Sequence, residues 1–134
     1  MTETTTRLLR DSAAFSGFSV DDLDAARTFY EEVLGLRTST ETEMGGLLRL
    51  HLAGGRDVLV YAKGPGHTAA TYTVLNFPVA DVDAAVAELT GRGVQFLHYE
   101  SPPTDETGVM HAGGPLIAWF TDPAGNVFSV IEAD

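Results

Sequence analysis

Along this chain an alternation of apolar and polar residues gives way to helical spacing, and it does so twice. In the first instance Phe18 and Val20 are apolar at every second position, as in a strand with one buried face. Asp22 follows, placed to accept bonds from the first free N–H groups of a helix. Leu23, Ala26, Tyr30, Val33 and Leu34 then recur at the spacing of one helical stripe, and Gly35 suits the left-handed residue that ends it. In the second instance Phe77 and Val79 lead to Asp81, the stripe is Val82, Ala85, Val86 and Leu89, and Gly91 and Gly93 close it. The stretches FSVDDLDAA (18–26) and FPVADVDAA (77–85) are identical at six of nine positions. Because order and residue type match together, the pattern points to a duplicated unit.

Each helix is followed by further strand-like runs. In the first half these are Leu36 to Glu43, Leu47 to Leu52 and Asp57 to Ala62, separated by MGG and AGGR, which suit tight turns. In the second half they are Val94 to Tyr99, Pro115 to Thr121 and Asn126 to Glu132. Between the last two lies TDPAGN, where Pro123 and Gly125 suit positions i+1 and i+3 of a type I turn. The predicted fold class is α+β, with two tandem βαβββ modules. Residues 1–134 then form one domain, with module one over about 13–63, a linker over about 64–70 and module two over about 71–134. The stretch ESPPTDETGVMHAGG (100–114) has no periodicity and reads as a flap.

Composition narrows the function classes. Hydrophobic residues are 44% and charged residues 20%, as in ordinary globular proteins, and no apolar run approaches the ~18 residues that span a bilayer. The first residues lack the apolar core and cleavage site of a signal peptide, so the expected location is cytoplasmic, with no membrane partner. The net charge of −11 argues against nucleic acid, which needs clustered Lys and Arg. With no cysteine there is no disulfide, thiolate metal site or cysteine nucleophile. No Ser-His-Asp arrangement, phosphate-cradling loop or dinucleotide fingerprint is visible.

FSVDDLDAARTFYEEVLGL (18–36) resembles the opening of a vicinal oxygen chelate module, and WFTDPAGNVFSVIE (119–132) resembles that superfamily's closing hairpin. This is the glyoxalase I, bleomycin-resistance and extradiol-dioxygenase group. The resemblance covers about Phe15 to Glu132. It implies that the modules form a curved mixed sheet around a shared cavity, often in a homodimer; half a cup would explain why the motif occurs twice.

In metal-dependent members of that group, ligands come from the first and last strands of each module. The first-strand ligand sits seven residues before the capping Asp, which here gives Phe15 and Val74. The closing-hairpin position is Ser129, and the fourth falls at Val60 or Tyr61. None is a usual ligand, so the resemblance implies loss of the metal site, with no metal and no cofactor expected. A non-standard site would draw on His51, His98, Glu100 and His111; His98 and Glu100 are two apart on an expected strand, and His111 lies on the flap. His67, in the linker, reads as solvated.

The same frame gives ligand-binding candidates: Phe15, Tyr61, Tyr72, Val74, Asn76, Trp119 and Ser129. An apolar, aromatic lining with a few hydroxyls and one amide suits a hydrophobic small molecule. Glu100, Asp105 and Glu106, at the flap, suit a cationic one. The reading is a metal-free small-molecule-binding protein that sequesters a hydrophobic or cationic antibiotic-like compound. The alternative is a lyase, isomerase or dioxygenase-like enzyme that uses cavity residues or a non-standard metal site. A third is a partner protein whose cup is filled by its own side chains.

Overall fold

The structure, a computed structural model, describes residues 8–41 and 46–133. The first module runs β1 (Ser16–Val20), α1 (Leu23–Thr28), a π-helical turn (Phe29–Val33), β2 (Arg37–Glu41), β3 (Leu47–Leu52) and β4 (Arg56–Ala62). A 3-10 turn (Gly64–Gly66) leads to the second module: β5 (Thr73–Val79), α2 (Val82–Gly91), β6 (Val109–Met110), β7 (Ile117–Thr121) and β8 (Val127–Glu132). Each module folds into a four-stranded mixed sheet, ordered β1-β4-β3-β2 and β5-β8-β7-β6. In both, the first strand pairs in parallel with the last. The duplicated sequence therefore folds into duplicated βαβββ topology. No helix among the described residues is long and apolar enough to cross a membrane.

The capping expectations hold. Asp22 accepts from the backbone N–H groups of Asp24 and Ala25, and Asp81 accepts from that of Ala84. Gly35 and Gly93, with φ of 73° and 94°, leave the two helices in the left-handed region. The first helix departs from a plain α-helix after Thr28, where its turns widen: the N–H of Leu34 donates to the carbonyl of Phe29, five residues back. Ala26 and Tyr30 are its buried residues.

One core serves both modules, and Phe128 lies at its centre. Phe18 meets the Phe128 ring edge-on with centroids 5.8 Å apart, and Tyr30 stacks on it at 5.9 Å. From its own module Phe77 stacks at 6.2 Å and Phe120 lies tilted at 5.7 Å. Such aromatic pairs add about 0.5–1.5 kcal/mol each beyond the area they bury.

Two strand expectations, and the reading of the flap, need correction. The run Leu36 to Glu43 is a strand only over Arg37–Glu41, and Thr42 and Glu43 lie outside the described residues, as do Met44 and Gly45 of the MGG turn. Val94 to Tyr99 is not a strand. Val94 and Phe96 are buried as the alternation requires, yet the segment makes one bridge, Phe96 to Phe120, with the Leu97 N–H donating to the Trp119 carbonyl. The rest of the β7 edge is taken by Val109 and Met110, which pair with Ala118 and Ile117. The fourth strand of this sheet thus comes from inside the stretch read as a flap.

Candidate functional site

Pleating divides each sheet into a core face and an open face. In the second module Phe120, Phe128 and Phe77 belong to the core, so the residues between them point away. The register aligns Trp119 with Ser129 and Ser129 with Asn76 across β7, β8 and β5. Ser129 donates its hydroxyl to Asn76 Oδ1 at 2.6 Å. Tyr99 packs edge-on against Trp119, with centroids 5.3 Å apart. The row joins an aromatic pair to a hydrogen-bonded hydroxyl and amide.

At the free edge of β5 this row meets an open groove of about 750 Å³. Asn76, Leu75 and Phe77 line one side, and Arg37, His51 and Arg56 line the other. The groove mixes apolar and polar lining and carries two arginines on its wall, in a chain whose net charge is −11.

The other candidates lie elsewhere. Tyr61 pairs with Ser19 across the β1–β4 ladder and is 38% exposed, while Val60 is fully buried in the core. Phe15 and Tyr72 are 65% and 70% exposed. Val74 falls where the β5–β8 register shifts, between Thr73 and Leu75. The structure thus brings together Asn76, Trp119 and Ser129, places Asn76 on the groove, and leaves Phe15, Tyr61 and Tyr72 on the surface.

The histidines do not converge. His98 Nε2 is 3.0 Å from the Glu106 carbonyl, and His111 Nε2 is 2.7 Å from Asp105 Oδ2. His51, in β3, bonds to Ser39 and Asp57. Among the described residues no three His, Asp or Glu side chains are grouped to hold a metal ion. His67 is not solvated: it is half-buried, with Nδ1 2.8 Å from Ser19 Oγ and Nε2 3.0 Å from the Ala124 carbonyl. A carbonyl only accepts, so Nε2 carries the ring proton and Ser19 donates to Nδ1. The ring clasps the linker to β1 and to the turn before β8.

That turn is built by the DPAGN residues. The Gly125 N–H donates to the Asp122 carbonyl at 3.0 Å, closing it. Asp122 Oδ1 accepts from the N–H groups of Ala124 and Asn126, at 3.0 and 2.8 Å. Asn126 donates from Nδ2 to the Ser19 carbonyl and accepts at Oδ1 from the Ala70 N–H. These polar residues of the motif hold the modules together.

The sequence profile of the Glyoxalase/Bleomycin resistance protein/Dioxygenase superfamily matches residues 13–130, and the chain belongs to that superfamily. Among solved structures it is similar to TnmS3, an antibiotic binding protein from Streptomyces sp. CB03234, at 24% identity and a TM-score of 0.68, covering 92% of this chain and 98% of that one. A superfamily member from Sphaerobacter thermophilus DSM 20745 is also 24% identical, with a TM-score of 0.69 and coverage of 91% and 98%. The fosfomycin resistance protein FosX from Listeria monocytogenes shares the fold at 15% identity and a TM-score of 0.68, covering 92% and 94%. No curated protein sequence matches the chain.

The superfamily's usual divalent ion does not fit the side chains present. Phe15 and Val74 have no donor atoms, and the Ser129 hydroxyl is spent on Asn76. At the fourth position Tyr61, rather than buried Val60, is accessible, and a phenol hydroxyl is a poor partner for a hard cation.

Proposed function

We propose that this protein binds a hydrophobic, aromatic small molecule and holds it unchanged, as a sequestering protein of antibiotic-like compounds would. The observation that carries the reading is the row Trp119–Ser129–Asn76, with Tyr99 against the indole, whose Asn76 end lines a groove of about 750 Å³. The indole stacks on an aromatic ring, and the exposed Asn76 amide, held in place by the fully buried Ser129 hydroxyl, orients it by hydrogen bonding. Arg37 and Arg56 on the groove wall oppose a cationic ligand there, so of the two ligand classes the aromatic one is preferred. The likeness to an antibiotic binding protein agrees with the reading.

The surface aromatics Phe15, Tyr61 and Tyr72 support a homodimer in which a second copy covers the open faces. The setting proposed is the cytoplasm.

Trp119 is the only tryptophan, so its fluorescence reports on the site. Titration with a panel of polycyclic aromatic antibiotics, neutral and cationic, is expected to give saturable quenching with a neutral compound, which chromatography recovers unaltered. Quenching by none of them, or conversion of a bound compound that carries no ester, would overturn the reading.

A further inference from the structure

The open face of the first module carries a constellation separate from the Trp119 row. The ladders place Arg37 opposite His51 and His51 opposite Asp57. Ser39 lies two residues beyond Arg37 on β2, so its side chain emerges on the same face. Ser39 Oγ is 2.8 Å from His51 Nε2, and His51 Nδ1 is 3.2 Å from Asp57 Oδ1. An ionised carboxylate only accepts, which puts the ring proton on Nδ1. In the neutral ring Nε2 is then the acceptor, and the Ser39 hydroxyl donates to it. Nucleophile, base and orienting carboxylate stand in the relation that activates a serine.

We propose that Ser39 is a nucleophile and that this face cleaves carboxylic esters. Three neighbouring strands hold the three side chains, so backbone pairing sets their geometry. Ser39 is exposed, and the His51 and Asp57 side chains are 38% and 36% exposed, so the face is open to substrate. Arg37, on the same strand, supplies positive charge where a carbonyl oxygen becomes an oxyanion, while Arg49, opposite Ser39 in the ladder, is paired with Glu41 at 3.0 Å. His51 and Arg37 also line the groove, whose far side is Leu75 and Phe77, so the ester has an apolar body and a polar or anionic end.

In the first step Ser39 Oγ bonds to the carbonyl carbon while its proton passes to His51 Nε2. The bond from that carbon to the leaving alcohol's oxygen breaks, and the alcohol takes the proton from Nε2. Water then attacks the acyl-Ser39 ester by the same route, releasing a carboxylic acid and restoring the hydroxyl. The sum is ester and water to acid and alcohol. Asp57 acts through His51 and is a positioning residue.

The test treats the full chain with a fluorophosphonate, which forms a stable adduct with an activated serine, and follows hydrolysis of aryl acetates in parallel. The expected result is an adduct mapped by mass spectrometry to the peptide carrying Ser39, with aryl acetate turnover. Both are lost in Ser39→Ala and in His51→Gln. Asp57→Asn is expected to lower both by roughly 10-fold or more, and Asp57→Glu to restore part of each. Thermal melts identify any variant that fails to fold, and Ser39→Ala and His51→Gln serve as independent checks. No adduct at Ser39 in the parent protein, or undiminished labelling of folded His51→Gln, would overturn the proposal.

Discussion

Tyr30 donates its hydroxyl to Asp122 Oδ2 at 2.6 Å, across 92 residues of sequence and between the two modules. Tyr30 is fully buried and Asp122 is 4% exposed. Burial, and then the neighbouring Asp122 charge, push the phenol well above its usual range, so Tyr30 remains a donor. Tyr30→Phe keeps the ring stacked on Phe128 and removes one partner of a buried carboxyl. The expected cost is about 1–3 kcal/mol in urea unfolding, with an unchanged native spectrum.

Burial also raises the Asp122 carboxyl above the ordinary value, against hydrogen bonds from Tyr30, Asn126 and Ala124 that lower it. The unfolded chain therefore releases this proton at lower pH than the folded chain does. The group's contribution to stability is full below the ordinary carboxylate value and is lost as pH rises through the raised one. Asn at this position does not titrate. The stability of the parent minus that of Asp122→Asn is accordingly expected to fall as pH rises above the ordinary carboxylate value, measured by urea melts at each pH.

Asn126 is 1% exposed and bonds to the linker at Ala70, to β1 at Ser19 and to Asp122. Asn126→Ala leaves a half-buried N–H and a half-buried carbonyl without partners. The expected loss is about 2–4 kcal/mol, with faster hydrogen exchange at the Ala70 amide.

Gly108 and Gly113 separate backbone strain from crowding. Both have positive φ, 99° and 72°, but a Cβ on Gly108 would stand 2.9 Å from Phe96 Cβ, whereas one on Gly113 meets nothing within 4 Å. Gly113→Ala is expected to cost about 1 kcal/mol from conformation alone, and Gly108→Ala about 2–4 kcal/mol. Equal melting temperatures for the two variants would contradict this account.

The loop after α2 is organised by Asp105. Its Oδ1 accepts from the backbone N–H of Thr107 at 2.9 Å and of Val109 at 3.0 Å, and its Oδ2 lies 2.7 Å from His111 Nε2. The Val109 N–H first, then His111, hold this carboxyl well below the usual range. Its contribution is therefore present above the ordinary carboxylate value and lost only as pH falls through the lowered one. In Asp105→Asn the Thr107 and Val109 amides are expected to exchange faster, while those of β8 do not change.

What the sequence revealed, and what it hid, divide along physical lines. Local chemistry was legible: the Asp22 and Asp81 caps, Gly35, the DPAGN turn and Leu47–Leu52 all follow from residues close in sequence. Val94 to Tyr99 looked like a strand because Val94 and Phe96 alternate correctly, but strand pairing depends on which segment reaches the β7 edge first, and Val109–Met110 holds half of it. Trp119, Ser129 and Asn76 were named from the sequence as candidates, and that they align across three strands needed the register. Ser39, His51 and Asp57 were hidden for the same reason. Each is unremarkable on its own strand, and only a face shared by three strands makes them neighbours.

The ring cluster around Phe128 bears on how such a chain arose. Phe18 and Tyr30 reach it from one half, and Phe77 and Phe120 from the other, so neither half encloses an interior without its twin. A half-length chain with this packing would complete the cluster only by pairing with a second copy, to an extent set by its concentration. With both halves in one chain the encounter is intramolecular, at an effective concentration fixed by the tether. Sharing a chain also releases the halves from being identical: Asp122 answers Tyr30 in one direction only, a contact that two equal copies would have been obliged to make twice.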